Sequence, residues 1–250
     1  MSAKRERLDV LLVERGLAES PSRAQALILA GRVVVDEHRR DKPGERVATD
    51  ATIVVKEGTR WASRGALKLL GALEAFPWLL DRIAGANCLD IGASTGGFTD
   101  VLLHHGAASV TALDVGYGQL HWKLQSDDRV IILDRTNIRH LAPGTLASAP
   151  ALVTCDASFI SVRLFLDVVF RELAPGGVFV CLVKPQFEVG KDDVPKGGVV
   201  RDPILRAQAL SDVRESAESL GFVTRGHVDS PISGPKGNQE MLLVLERPAG

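Results

Sequence analysis

Between residues 65 and 250 the chain alternates two kinds of segment. The short apolar runs NCLDIG, SVTALDVG, DRVIILDRTN, ALVTCDAS and GVFVCLVKP have the length and content of buried strands. Between them lie longer runs with helical spacing: GALKLLGALEAF, GGFTDVLLHHG, SVRLFLDVVFREL and DPILRAQALSDVRESAESLG. Strands that alternate with helices predict an α/β fold, a doubly wound and mostly parallel Rossmann-like sheet. FVTRGHVDSPISG followed by EMLLVLERP reads as a closing hairpin, so the last strand is expected to be antiparallel.

The first 58 residues carry a different pattern. LDVLLVERG has helical spacing and ends at Gly16. Ser20 is a helix cap with Pro21 at the first helical position, and PSRAQALILA runs to Gly31. RVVVDEHR and TIVVKEG read as short strands, with KPGERV as loop between them. The expected organisation is a small amino-terminal α+β domain over 1–58, a linker over 59–64 and the large α/β domain over 65–250. Trp61, in the linker, is expected to be a packing plug between domains rather than a base-stacking platform.

Composition adds exclusions. The 250 residues are 45% hydrophobic and 24% charged, an ordinary balance for a globular chain. No apolar run is long enough to span a membrane, and MSAKRERLDV has no apolar core of signal type. Cys88, Cys155 and Cys181 are odd in number and without metal spacing, which predicts a reduced, cytoplasmic protein with no metal site. Adjacent His104 and His105 face different ways on a helix and read as a solvated face. Net charge is −1, with 12 basic against 10 acidic residues in 1–60 and 18 against 21 in the rest. An RNA-binding surface would therefore be a local patch. The small domain offers one: Arg5, Arg7, Arg15, Arg23, Arg32, Arg39, Arg40 and Lys42.

The stretch LDIGASTGGFTD, residues 89–100, joins the first strand of the large domain to its next helix. Ligands of such sheets bind beyond the carboxyl ends of the strands, where glycine lets the backbone come close and a helix amide end favours an anion. Neither G-x-G-x-x-G nor a phosphate loop is present. The second strand ends in Asp114, an acid placed to accept ribose hydroxyls. A ribose-bearing cofactor without a phosphate loop points to S-adenosylmethionine. Four polar residues sit in awkward places. Lys68 interrupts an apolar helix face, Asp156 and Lys184 close strands, and Glu240 opens the last strand. Three lie at strand ends, on the rim where sites form.

These four residues match, in order and context, the Lys-Asp-Lys-Glu tetrad of the FtsJ-type ribose 2′-O-methyltransferases, which the large domain resembles. D-x-G-x-x-x-G-G-F-T is similar to that family's cofactor loop. R-L-D-x-L-L-x-x-x-G and S-R-x-x-A-x-x-L-I-x-x-G-x-V-x-V resemble the small RNA-binding module named after ribosomal protein S-four. In that module Arg5, Arg7, Arg23, Arg32, Arg39 and Arg40 would face RNA. Its hairpin usually has Asn-Gly or Asp-Gly, whereas this chain has Asp36-Glu37, so a looser turn is expected. SRGALKL, GYGQL, RTN, DASFIS, VKPQFE and GNQE complete a resemblance over nearly the whole chain to the TlyA family of ribosomal RNA 2′-O-methyltransferases, often labelled haemolysins.

The resemblance implies a Rossmann-like methyltransferase sheet, S-adenosylmethionine as cofactor, and ribosomal RNA or a ribosomal subunit as partner, with cytidine as the nucleoside. It implies Asp90, Gly92, Ala93, Ser94, Gly96, Gly97 and Phe98 around the methionine portion and Asp114 at the ribose. Asn137 stands where related enzymes use an Asp near the adenine, with Asp134 as its competitor. Lys184 would be the base, or the group that steers the oxygen lone pair, oriented by Lys68 and Asp156, with Glu240 completing the network. Rival chemistries lack their residues. Asp156-Ala157-Ser158-Phe159 is not the Asn/Asp-Pro-Pro-aromatic of amino-group methylation. Cys155 and Cys181 lie inside strand runs, and no G-x-S-x-G elbow exists. Two alternatives remain: an RNA-binding ribosome assembly factor on the same fold, and a haemolysin. Against the haemolysin stand the absence of barrel alternation and of a long basic amphipathic helix.

Overall fold

The computed structural model describes residues 4–29, 31–56, 60–190 and 193–250. Ala30 and the expected boundary between 58 and 59 lie outside the described residues. The chain divides into two compact units, Met1–Arg60 and Trp61–Gly250.

In the first unit, α1 (Leu8–Glu14) and α2 (Pro21–Leu29) pack over two small sheets. Ser20 caps α2 as its sequence implies: the amide of Arg23 donates to its Oγ at 3.2 Å. Strands β2 (Val33–Val35), β3 (His38–Arg40) and β5 (Ile53–Val55) form an antiparallel sheet in the order β3-β2-β5. Leu8, Leu12, Ile28 and Val33 are fully buried between helices and sheet. Two expectations need correction. β1 (Arg5–Arg7) pairs with β4 (Arg46–Ala48), so part of the stretch read as loop is a strand. RER and RVA hold too few apolar residues to show as strands in a sequence. The Asp36-Glu37 turn is also tight, not loose. Val35 pairs with His38 across it, and φ is +47° at Asp36 and +66° at Glu37. Left-handed backbone costs about 1–2 kcal/mol per non-glycine residue. It is held here by Asp36 Oδ1, which accepts from the amide of Thr52 at 2.9 Å.

The second unit is a seven-stranded sheet. Its strands are β6 (Asn87–Ile91), β7 (Ser109–Leu113), β8 (Val130–Leu133), β9 (Leu152–Cys155), β10 (Val178–Val183), β11 (Val223–Asp229) and β12 (Met241–Glu246). Their order is β11-β12-β10-β9-β6-β7-β8. From β10 to β8 the strands are parallel, and β12 slots antiparallel between β10 and β11. The antiparallel last strand is thus as expected. Adjacent residues of one strand serve opposite cores. Val180 and Val244 face α3 (Ala66–Ala75) and α5 (Gly97–His104), whereas Phe179 and Leu245 face α7 (Leu166–Glu172) and α9 (Pro203–Ser219). Each such side chain contributes about 1.5–3 kcal/mol on burial. The helix expected over SVRLFLDVVFREL begins only at Leu166. Ser161 caps a separate short turn, Val162–Leu164, ahead of it. β8 is an edge strand with Ile131 and Ile132 exposed, not a buried one. Three short helices carry no readable period: α4 (Leu79–Ile83), α6 (Trp122–Gln125) and α8 (Pro185–Glu188).

No described helix is long and apolar enough to cross a membrane. Trp61 packs on the core beneath α3 and α5 and meets the His104 ring edge-on at 5.2 Å, a packing role inside the second unit.

Candidate active site

The sheet reverses direction of winding between β6 and β9, and a cleft of about 980 Å³ opens over the carboxyl ends of the strands there. Its floor is the group of four polar residues. Lys68 Nζ lies 3.1 Å from Asp156 Oδ2 and 2.8 Å from Glu240 Oε2. Lys184 Nζ lies 2.6 Å from Asp156 Oδ1. The residues come from α3, the end of β9, the end of β10 and the start of β12, and 172 positions separate the first from the last. Lys68, Lys184 and Glu240 are at least 93% buried. Taking such charges from water costs several kcal/mol per ion, and only full pairing makes it tolerable. Two cations alternate with two anions, so the network is neutral. Gly234 is part of the design: a Cβ there would come within 2.5 Å of Glu240 Oε1.

One wall is the glycine loop. Gly92 has φ +76°, and a Cβ on it would stand 2.8 Å from the Cα of Ala157. The loop can thus lie directly on the backbone that carries Asp156. Asp90 is buried beneath the loop; its Oδ2 accepts from the amide and hydroxyl of Thr99, its Oδ1 from the hydroxyl of Thr154. Burial outweighs these bonds and pushes its pKa up to about 6. Gly92, Ala93, Ser94, Gly97 and Phe98 line the cleft, as does Asp90. Among the described residues no hydrogen bond engages the amides of Thr95, Gly97 or Phe98. Gly97 and Phe98 are the first residues of α5, where amides have no partner within the helix. These amides fit an anionic group.

Gly96, Asp114 and Asn137 stand outside that lining. Gly96 turns the chain into α5 with φ +90°. Asp114 accepts from the amides of Ser94 at 2.8 Å and Gly116 at 2.7 Å, and so fixes the loop from the tip of β7. Asn137 is exposed and caps the short turn Ile138–His140. Asp134 accepts from the amide of Gly118.

The opposite wall contains residues that the sequence pattern did not single out. Ser158 and Phe159 follow Asp156, and Gln186 and Phe187 follow Lys184. Phe159 is 91% exposed with φ +66°, its ring 5.4 Å from that of Phe187. Glu188 holds this loop: its carboxylate accepts from Ser161 Oγ at 2.5 Å and from the amide of Val162 at 2.8 Å. Burial raises its pKa above the ordinary carboxylate range. The motifs DASFIS and VKPQFE held the signal, but only contact between segments 26 residues apart reveals it. Exposed Arg64 and Lys236 stand at the rim. Cys155 and Cys88 are buried, and desolvation pushes both thiols up to about 12, so neither supplies a thiolate.

In the first unit the arginines differ in what they engage. Arg7 forms a two-pronged bridge to Asp9, and Arg40 pairs with Glu45 at 2.9 Å. Arg15 is spent on the carbonyls of Thr49 and Ala51. Among the described residues no ion pair engages Arg5, Arg23, Arg32 or Arg39.

This strand order, with a glycine loop and a buried Lys-Asp-Lys-Glu network over the switch point, defines a Rossmann-like methyltransferase. The family model for FtsJ-like methyltransferases matches residues 61–247, and that for the S4 domain matches residues 6–53. The chain belongs to the FtsJ-like methyltransferase family. It is 49% identical over 245 residues to the 16S/23S rRNA (cytidine-2'-O)-methyltransferase TlyA of Mycobacterium tuberculosis, covering 97% of this chain and 90% of that one. To Hemolysin A of Brachyspira hyodysenteriae it is 39% identical over 237 residues, covering 94% and 98%. A solved Streptococcus thermophilus protein with a provisional hemolysin name superposes with a TM-score of 0.74 at 41% identity, covering 99% of this chain and 90% of that one.

Proposed function

We propose that this protein methylates a ribose 2′-hydroxyl of ribosomal RNA, with S-adenosylmethionine as methyl donor, cytidine as the nucleoside and the cytoplasm as its place of work. The observation that carries this reading is the largely buried network of Lys68, Asp156, Lys184 and Glu240 beside a glycine loop in which, among the described residues, the amides of Thr95, Gly97 and Phe98 have no partner. The rRNA (cytidine-2'-O)-methyltransferase relative supports the substrate.

When bound, the cofactor supplies an electrophilic methyl group on a sulfonium. The amides of Thr95, Gly97 and Phe98 would hold its carboxylate, and Asp114 keeps lone pairs for its ribose. The RNA hydroxyl is a weak nucleophile, so the chain must place it and remove its proton. Lys184 is the base; Asp156 fixes its ammonium and Lys68 fixes Asp156, while Glu240 neutralises Lys68. Placement is worth about 7–11 kcal/mol and general-base work about 10²–10⁴-fold, so alignment dominates. Phe159 offers a face for a base, and Arg64 and Lys236 offer charge for phosphates. Arg5, Arg7, Arg23, Arg32, Arg39 and Arg40 would present the S4-like domain to structured RNA.

Lys184→Ala tests the assignment. Methyl transfer should vanish while calorimetric cofactor affinity stays near that of the parent. A variant that retains the parent rate removes Lys184 from the mechanism.

A further inference from the structure

Among the described residues, Lys184 Nζ has three neighbours within hydrogen-bonding distance. Asp156 Oδ1 lies at 2.6 Å, the Asp156 carbonyl oxygen at 3.1 Å and Ser158 Oγ at 2.8 Å. The lysine is 95% buried, whereas Ser158 is exposed and lines the cleft. An ammonium has three N–H donors, and all three neighbours accept. A neutral amine, the form that acts as a base, has two N–H donors and one lone pair. Both Asp156 oxygens can only accept, so they take the two N–H groups. The lone pair is then left facing Ser158, the one neighbour with a hydrogen to give. Ser158 also faces the open cleft rather than the core.

We propose that Ser158 is a catalytic residue that carries the proton from the attacking hydroxyl to Lys184. This rests on Lys184 being the base of a ribose methyltransferase. As the bond from O2′ to the methyl carbon forms, the bond from that carbon to sulfur breaks. The O2′ proton passes to Ser158 Oγ while the proton of Ser158 passes to Lys184 Nζ. The sulfonium becomes a neutral thioether, and its positive charge reappears on Lys184. The ammonium so formed finds acceptors in all three neighbours without any of them moving. Glu188 serves this arrangement at a distance, because its bonds to Ser161 and Val162 tie down the far end of the loop that carries Ser158.

The test uses the full chain with unmodified ribosomal subunits and saturating S-adenosylmethionine, under single-turnover conditions. Ser158→Ala should lower the transfer rate by about 10²-fold, as loss of a proton-transfer group does, with unchanged KM for RNA and unchanged calorimetric cofactor affinity. Ser158→Thr, which keeps the hydroxyl, should recover most of the rate. Rates in mixtures of light and heavy water should curve with deuterium fraction in the parent, because two protons move together, and become linear in Ser158→Ala. In the protein without RNA, the ¹⁵Nζ resonance of Lys184 should move in Ser158→Ala. A parent rate in Ser158→Ala, a loss confined to KM, or a linear solvent dependence in the parent would each overturn the relay. Those outcomes leave the methyltransferase reading standing; that reading fails on its own if the parent methylates no ribose.

Discussion

A carboxylate as deeply buried as Asp90 leaves a mark on stability. Its pKa stands at about 6, against an ordinary 3.8. Between these values the folded protein holds a proton that the unfolded chain has released. Stability from this residue is therefore greatest below about pH 4, falls as pH rises to about 6 and is level above, a loss of about 3 kcal/mol. Asp90→Asn removes the charge and can keep the bonds, its oxygen facing Thr99 and its amide Thr154. The melting temperature of Asp90→Asn minus that of the parent should grow from pH 5 to pH 7. A difference that is constant across that range would contradict the assignment. The sequence places Asp90 among the ligand-facing residues, and it has no way to show that both carboxylate oxygens are taken by Thr99 and Thr154, one of them 64 positions away.

Among the elements, the glycine loop depends on one close approach. Gly92→Ala would place a methyl group against the backbone of Ala157 in a left-handed conformation that itself costs about 1–2 kcal/mol. Thermal stability and cofactor affinity should both fall, since the loop and Asp156 would be forced apart. A variant with unchanged melting temperature and calorimetric affinity would mean that the loop can shift freely. β6, β9 and β10 were legible as apolar runs, and α9 as seventeen residues opened by Asp202 and Pro203. What escaped were β1, β4, α6 and α8, elements of three or four residues that hold no apolar run. The Asp36-Glu37 turn escaped for a different reason. Its residue preference is overridden by pairing of Val33–Val35 with both β3 and β5.

At the scale of the whole molecule, two units divide the labour proposed for them, RNA grip and methyl transfer. Replacing Arg5, Arg23, Arg32 and Arg39 by alanine should weaken binding to ribosomal RNA and lower the slope of log affinity against log salt by about 0.7–0.9 for each phosphate that is no longer neutralised. Filter binding at several salt concentrations measures this, and an unchanged slope would take these arginines out of the interface. Cofactor affinity should not respond. The four network residues were findable from sequence because three of them stand at strand ends, where a polar residue interrupts or closes an apolar run. Their meeting in one cleft, and the part proposed for Ser158, needed the sheet to bring β9 and β10 side by side.

The group methylated, on this account, is a ribose hydroxyl of ribosomal RNA. The direct measurement is to incubate the protein with methyl-labelled S-adenosylmethionine and ribosomal subunits that lack the modification, hydrolyse the RNA in alkali and follow the label. A 2′-O-methyl group blocks cleavage at its own phosphodiester, so the account predicts label in alkali-resistant dinucleotides with methylcytidine at the 5′ position. Label recovered on a nucleobase in mononucleotides, or in no RNA at all, would contradict it.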